Sequence, residues 1–344
     1  MGGGVNEMFH VEGKNKMGVS REPSASRMFV APDGFGDMAS RDTSVIQLSF
    51  QAESLPDCDL FSLSDPFIVV SEVSSSSQPV HLLQTETIWN TLNPKFVRSC
   101  DIGYSAYIDP LLQITVLDRD AKSDNPDKHD FLGECTFRVR ELMSTENLRL
   151  KVKLIEQVAK KENHAFIHVL ATPLKDPDDI RTVNFHIVAS ELKRKKLLSK
   201  SRLAPLVFIQ ITQARKDPCE QFQWSPVYRS EVVQKARADK KYCFDPIEIK
   251  MQSLCNSDPN ALFRIEFYIF VNSGDHELYG YAPVSLDILE TMHKNSMIER
   301  EIEGEFSDQN RLGRLKVESG SASPQECTYT IILDLFGNKN FKPA

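Results

Sequence analysis

Short runs of alternating apolar and polar residues, separated by turn residues and laid out twice along the chain, limit its fold more than any other feature. From Val45 the stretch VIQLSFQAESL alternates, and PFIVVSEV, LLQITVLD and AFIHVLA follow as β-rich runs. A period of two sends one face to a core and the other to water, which is the pattern of a half-buried strand. Evenly spaced runs over about 45–172 fit an antiparallel sandwich. One helical insert is predicted at 138–161, where RVRELMSTENLRLKVKLIEQVAKK is rich in helix formers. The turn-rich LKDPDDIRT, residues 174–182, reads as a linker. Beyond it the texture returns: VNFHIVASEL, LVFIQIT, SEVVQK and LFRIEFYIFV read as strands, VSLDILETMHK as a helix and TYTIILDLF as a closing strand. The expected fold class is all-β, an internal duplication with one unit at 45–173 and a second at 183–340. Residues 1–44 show no sustained period and cannot bury enough surface to offset ordering entropy, so disorder is predicted there.

Composition narrows the function classes. With 344 residues, 41% of them hydrophobic, the chain can fill two ordinary cores. A formal charge of −7 is mild at this length, and nucleic acid is not an expected partner. Seven cysteines, an odd number without a CxxC, read as reduced thiols in a cytoplasmic protein. The N-terminus lacks the apolar core of a signal peptide, and no run of about eighteen apolar residues occurs. Gly2 is a candidate for myristate, but the acceptor pattern wants Ser or Thr at position six, where Asn6 stands. No GxSxG, Walker loop, GxGxxG or HExxH is present. His164 and His168 in HAFIH fall in a strand-like run with no acidic companion in sequence and read as structural. A non-catalytic protein without a small-molecule substrate is expected.

The stretch VLDRDAKSDNPDKHDFLGE crowds Asp118, Asp120, Asp124, Asp127 and Asp130 into thirteen positions. Unit charges about 4 Å apart repel by about 1 kcal/mol even in bulk water. A solvated acidic turn and a site for a hard divalent cation both fit this stretch taken alone; Ca²⁺ takes six to eight oxygens, which Asp supplies compactly. A second acidic turn, DCDLFSLSDPFIVV, carries Asp59 and Asp65 and feeds a strand. An EF-hand is excluded, because counting from Asp118 its fifth, sixth and twelfth places are Lys122, Ser123 and His129.

These residues resemble the C2 domain family. Asp59-x5-Asp65-Pro66-Phe67 matches its first loop, Asp118-x-Asp120 and Asp130-Phe131-Leu132-Gly133-Glu134 its third, and Thr91-Leu92-Asn93-Pro94-x-Phe96 the motif between. The lengthened third loop and the tandem layout are similar to those of copines, which continue into an integrin-like A domain that this sequence does not reach. The resemblance implies two antiparallel eight-stranded β-sandwiches with short helical inserts. It also implies Ca²⁺ as cofactor, with Asp59, Asp65, Asp118, Asp120 and Asp130 as side-chain ligands, Asp127 as a sixth and the carbonyl of Arg119 beside them. Bound cation would reverse the local sign and admit an anionic phospholipid surface. Leu60, Phe61 and Leu63 lie between the first-loop ligands, where apolar tips can enter the headgroup region; a core position for Phe61 is the other reading.

The second unit breaks this pattern. Lys196 and Arg202 fall at the expected places of Asp59 and Asp65, Ile269 and Val271 replace the Asp-x-Asp pair, and Glu277 stands opposite Asp130. Lys193, Arg194, Lys195, Lys196, Lys200 and Arg202, joined by Lys235, Arg237, Lys240 and Lys241, make the unit a candidate calcium-independent basic contact for anionic lipid. A solvated charged face is the alternative, and a localisation signal in KRKK lacks supporting aromatics. The expected protein is cytoplasmic and joins a membrane peripherally, at the plasma membrane, when calcium rises. The rival is an adaptor that recruits a protein partner through the degenerate second unit.

Overall fold

The computed structural model describes residues 43–58, 62–74, 77–105, 107–155, 164–190, 205–216, 222–234, 241–303, 313–323 and 325–335. The first unit has eight strands: β1 (Ser44–Glu53), β2 (Pro66–Ser74), β3 (Ser77–Gln84), β4 (Cys100–Tyr104), β5 (Leu111–Asp118), β6 (Asp130–Arg138), β7 (Arg149–Lys153) and β8 (Phe166–Pro173). They form two four-stranded sheets, β4-β1-β8-β7 and β3-β2-β5-β6, with every pairing antiparallel. The alternation read from the sequence is the alternation of burial. Ile46, Leu48 and Phe50 of β1 meet Ile68, Val70, Ile114, Val116, Phe137, Ile167 and Val169 in one core, all nearly solvent-free. That pairing of two one-sided sheets is what period-two sequences can bury.

The helical insert is much shorter than predicted. Among its described residues only α1 (Val139–Met143) is helical, and RLKVK forms β7 instead. Leu150 and Val152 alternate with exposed Lys151 and Lys153, so pairing with the open edge of β8 buries an apolar face that a helix would have to share with lysines. The rest of the predicted insert, 156–161, lies outside the described residues, as do residues 1–42. His168 does have an acidic companion, Glu53 of the neighbouring β1, whose Oε2 lies 2.7 Å from Nε2 and also accepts from Lys151 Nζ at 2.8 Å. Strand pairing supplied what the linear sequence hid.

The second unit is again a pair of sheets, but with more segments than the eight expected. Its strands are β9 (Thr182–Ala189), β10 (Leu206–Lys216), β11 (Phe222–Arg229), β12 (Val233–Gln234), β13 (Tyr242–Cys243), β14 (Ile247–Lys250), β15 (Phe263–Ile269), β16 (Glu277–Val284), β17 (Arg300–Ile302), β18 (Gly313–Ala322) and β19 (Glu326–Leu335). One sheet runs β11-β10-β15-β16 with β12 beside β10, and the other runs β13-β9-β19-β18-β17 with β14 beside β9. The helices are α2 (Met251–Cys255) and α3 (Leu286–Lys294); Ser285 caps α3 by accepting from the Ile288 amide at 3.2 Å, and Leu286, Leu289 and Met292 face the core.

Two isolated bridges align the units: Glu134 with Ile155 after β7, and Tyr281 with Glu303 after β17. By that alignment β18 is the counterpart of β8, yet it does not pair with β9. The extra strand β19 lies between them, parallel to β9 and antiparallel to β18, and its Tyr329, Ile331, Leu333 and Leu335 are buried in the second core.

The units touch along the connecting segment and again near one end. Asn256 accepts from the Lys175 amide and donates to the Pro173 carbonyl, both at 3.0 Å, while Lys175 Nζ reaches Asp258 at 2.8 Å. Asp179 forms a fork with Arg181 through two bonds of 2.8 Å. At the second contact Gly274, with φ +87°, sits so close to the Asn90 carbonyl that a Cβ would lie 1.9 Å from that oxygen. Among the described residues no helix is long and apolar enough to cross a membrane.

Candidate functional site

The acidic positions of the first unit gather where β2 begins, β5 ends and β6 begins. Pro66, which follows Asp65, is paired with Asp118, and Asp118 with Asp130, so the sheet register alone brings Asp118 and Asp130 side by side and Asp65 next to them. The loops are then laced by backbone bonds. Asp118 Oδ1 accepts from the Asp65 amide at 2.6 Å, the Asp65 carbonyl accepts from the Arg119 amide at 3.1 Å, and Asp120 Oδ2 accepts from the Asp130 amide at 2.8 Å. Asp65 Oδ1 in turn accepts from the Asn90 amide at 2.7 Å. Charged acceptors on backbone donors are the stronger class of hydrogen bond, and here they fix the loop entrances.

Ser64, fully buried, staples the first loop by donating to the Pro56 carbonyl at 3.1 Å and accepting from the Cys58 amide at 3.2 Å. The third loop is anchored by His129, which stands edge-on to Phe67 at 5.1 Å with Nε2 2.9 Å from the Ser123 carbonyl. Cys58 reports how near the two loops are. Burial first, and then the negative fields of Asp118, Asp130, Asp57 and Asp120, hold its thiol above the ordinary range.

Asp65, Asp118, Asp120 and Asp130 therefore share one rim. Asp118 is 2% exposed, whereas Asp120 and Asp130 face solvent. Asp127 is exposed on the single 3-10 turn Pro126–Lys128, its amide held by Asn125 Oδ1 at 3.1 Å. The Arg119 side chain turns to Asp124 at 3.2 Å and to Thr87 Oγ1 at 3.4 Å. Leu63 is half-buried. Asp59, Leu60 and Phe61 lie outside the described residues.

Among the described residues no three His, Cys, Asp or Glu side chains converge tightly enough to hold a metal ion as they stand. Asp65, Asp118 and Asp120 each direct an oxygen at a backbone amide. In kind the donors suit a hard cation, being carboxylates from two loops with Asp118 already withdrawn from water.

In the second unit the register corrects one sequence alignment. Val207 pairs with Ile269 and Ile269 with Glu277, so Ile269 stands where Asp118 does and Glu277 where Asp130 does. The Leu206 carbonyl accepts from the Phe270 amide at 2.9 Å, just as the Asp65 carbonyl accepts from Arg119. The counterpart of Asp65 is thus Leu206, not Arg202; the insertion before Pro205 misled the linear count. Of the candidate basic residues only Lys241 is described, and it is exposed; Lys193, Arg194, Lys195, Lys196, Lys200, Arg202, Lys235, Arg237 and Lys240 lie outside the described residues.

Sequence reasoning missed Asn90 and Gly274. Neither belongs to an acidic or basic cluster, and only the meeting of the units gives them a role. A glycine followed by Asp in a turn, Gly274-Asp275, was the one available signal, since turns that need positive φ select glycine.

A model of the C2 domain family matches residues 47–154. Protein BONZAI 2 of Arabidopsis thaliana is 28% identical over 259 residues, which cover 73% of this chain and 42% of that protein. Protein BONZAI 1 of the same plant is 27% identical over 281 residues, covering 77% of this chain and 44% of its own length. Copine-A of Dictyostelium discoideum is 27% identical over 238 residues, covering 69% and 37%. The chain spans less than half the length of these relatives. Residues 47–154 match the C2 domain family, and 69–77% of the chain is similar to the BONZAI proteins and Copine-A.

Proposed function

We propose that the protein is a non-catalytic, calcium-responsive membrane adhesion module. The first unit binds Ca²⁺ through Asp65, Asp118, Asp120 and Asp130 together with Asp59, with Asp127 and the Arg119 carbonyl completing the set. The cation, when bound, supplies positive charge at a rim that otherwise repels anionic headgroups. This chain's own part is to hold the loop entrances through the Asp65 amide, the Arg119 amide and the Asp130 amide, so that the carboxylates need only rotate. Asp118 matters most, because a carboxylate 2% exposed gives up hydration before any cation arrives.

The observation that carries this reading is the common rim made by Asp65 from one loop and Asp118, Asp120 and Asp130 from another. The second unit, with Leu206, Ile269 and Val271 in place of carboxylates, acts without calcium through its cationic sequence. Localisation is cytoplasmic, with reversible attachment to the plasma membrane.

The test is co-sedimentation of the full chain with phosphatidylserine vesicles with and without calcium. Binding should require calcium and be abolished by Asp118→Asn with Asp120→Asn. Weak binding in both states would instead favour an adaptor whose second unit recruits a protein.

A further inference from the structure

The stretch that follows β3 holds Asp65 through its backbone. The Ile88 amide donates to the Pro66 carbonyl at 2.9 Å and the Thr91 amide to the Ser64 carbonyl at 3.0 Å, while between them the Asn90 amide donates to Asp65 Oδ1 at 2.7 Å. In the same stretch Thr87 Oγ1 accepts from the Arg119 guanidinium at 3.4 Å. The orientation of the Asp65 carboxylate thus depends on the Asn90 peptide. Asn90 has φ +54°, a left-handed conformation that asparagine visits but does not hold unaided.

The support comes from the second unit. Gly274 packs directly on the Asn90 carbonyl, with no room for a Cβ between them. The turn that carries Gly274 is itself fixed: the Gly274 amide donates to the Val271 carbonyl at 3.1 Å and the His276 amide to the Gly274 carbonyl at 2.9 Å. The His276 ring lies against Phe208 and Phe270, at 5.1 Å and 4.9 Å. The second unit meets the neighbouring stretch of the first as well. Burial pulls the Arg229 guanidinium down, and the strongest field opposing that pull is that of Glu86, whose carboxylate accepts from the Val97 and Arg98 amides. Trp224 and Pro226 line one narrow cleft with Lys95 and Phe96.

We propose that the second unit sets the calcium affinity of the first by bracing Asp65 through the backbone contact of Gly274 with Asn90. Both are positioning residues, and neither needs to touch the cation. This rests on the reading of the acidic rim as a calcium site and gives the second unit a part in it. A hard cation needs several oxygens at once, and each carboxylate already held near its place lowers the ordering cost of binding. A Cβ at Gly274 must push the Asn90 peptide aside, which turns its amide from Asp65 and leaves that carboxylate to be ordered by the cation alone.

The test is a calcium titration of the full chain by calorimetry, without lipid. Gly274→Ala should raise the calcium Kd about five- to tenfold. Lys175→Ala, which loosens the units at the connecting segment instead, should leave it within about twofold of the parent. Amide hydrogen exchange adds a readout that general loosening does not move: the Asn90 amide should exchange faster in Gly274→Ala and remain slow in Lys175→Ala. Coupling is reciprocal, so calcium should slow exchange of the Gly274 and His276 amides in the parent; if Gly274→Ala does not fold, this measurement decides alone. A Gly274→Ala chain that binds calcium as tightly as its parent or more tightly, an equal loss in Lys175→Ala, or Gly274 and His276 amides indifferent to calcium overturns the proposal and leaves the calcium reading intact. A parent that binds no calcium overturns both.

Discussion

Asp179 shows how one residue can hold the passage between the units. Its carboxyl is nearly enclosed, and the Arg181 guanidinium forked onto it holds it down to about 2 against an ordinary 3.8. A depressed carboxyl contributes stability that is complete above its ordinary value and disappears as pH falls through the folded value. Asp179→Asn should therefore lower the melting temperature at pH 7 by roughly 3 °C. The gap between variant and parent should narrow steadily below pH 4 and vanish only below pH 2 in a calorimetric series. At this scale the sequence was a good guide to place: the turn with Asp65 and the loop with Asp118, Asp120 and Asp130 meet at one end of the first sandwich. It was blind to partners brought by folding: Glu53 beside His168, and Asn90 beside Asp65, are distant in the chain and near only through strand pairing.

Among the elements, β19 is the departure from a duplicated plan. Its sequence announced a strand, because TYTIILDLF alternates, but alternation specifies faces and not neighbours. Nothing in the residues tells a strand that closes a sheet edge from one that enters between two others. The same limit explains β7: RLKVK has helix-forming lysines and a period of two, and the open edge of β8 decides between them. Since β19 is central in its sheet, its core side chains bear on the whole second unit. Ile331→Ala should destabilise that unit by about 2–5 kcal/mol, read as a lower urea midpoint for the second unit, with the first unit's transition unmoved.

For the molecule as a whole, the contact between Gly274 and Asn90 sets the mutual position of the units near their loop ends. Any side chain at Gly274 meets the Asn90 carbonyl and is also strained at φ +87°. Gly274→Val should reduce stability by about 1–3 kcal/mol. It should also enlarge the radius of gyration in small-angle scattering while circular dichroism keeps the strand signal; an unchanged radius would show that the linker bonds around Asn256 and Lys175 suffice. This arrangement could not be read from sequence, since it depends on which faces two independent cores leave available.

The position of β19 also bears on how the protein is made. A ribosome delivers β9 long before β19, so the first strand of the second sandwich must wait, its edge open, until nearly all the rest of that unit has been synthesised. In the first sandwich β1 likewise waits for β8, the last strand of its own unit, but β8 precedes the linker, so that sandwich is complete before the second begins. Nascent chains should therefore emerge with one half already set and the other held as an incomplete sheet, in need of protection from unwanted edge pairing until the late strand slots in.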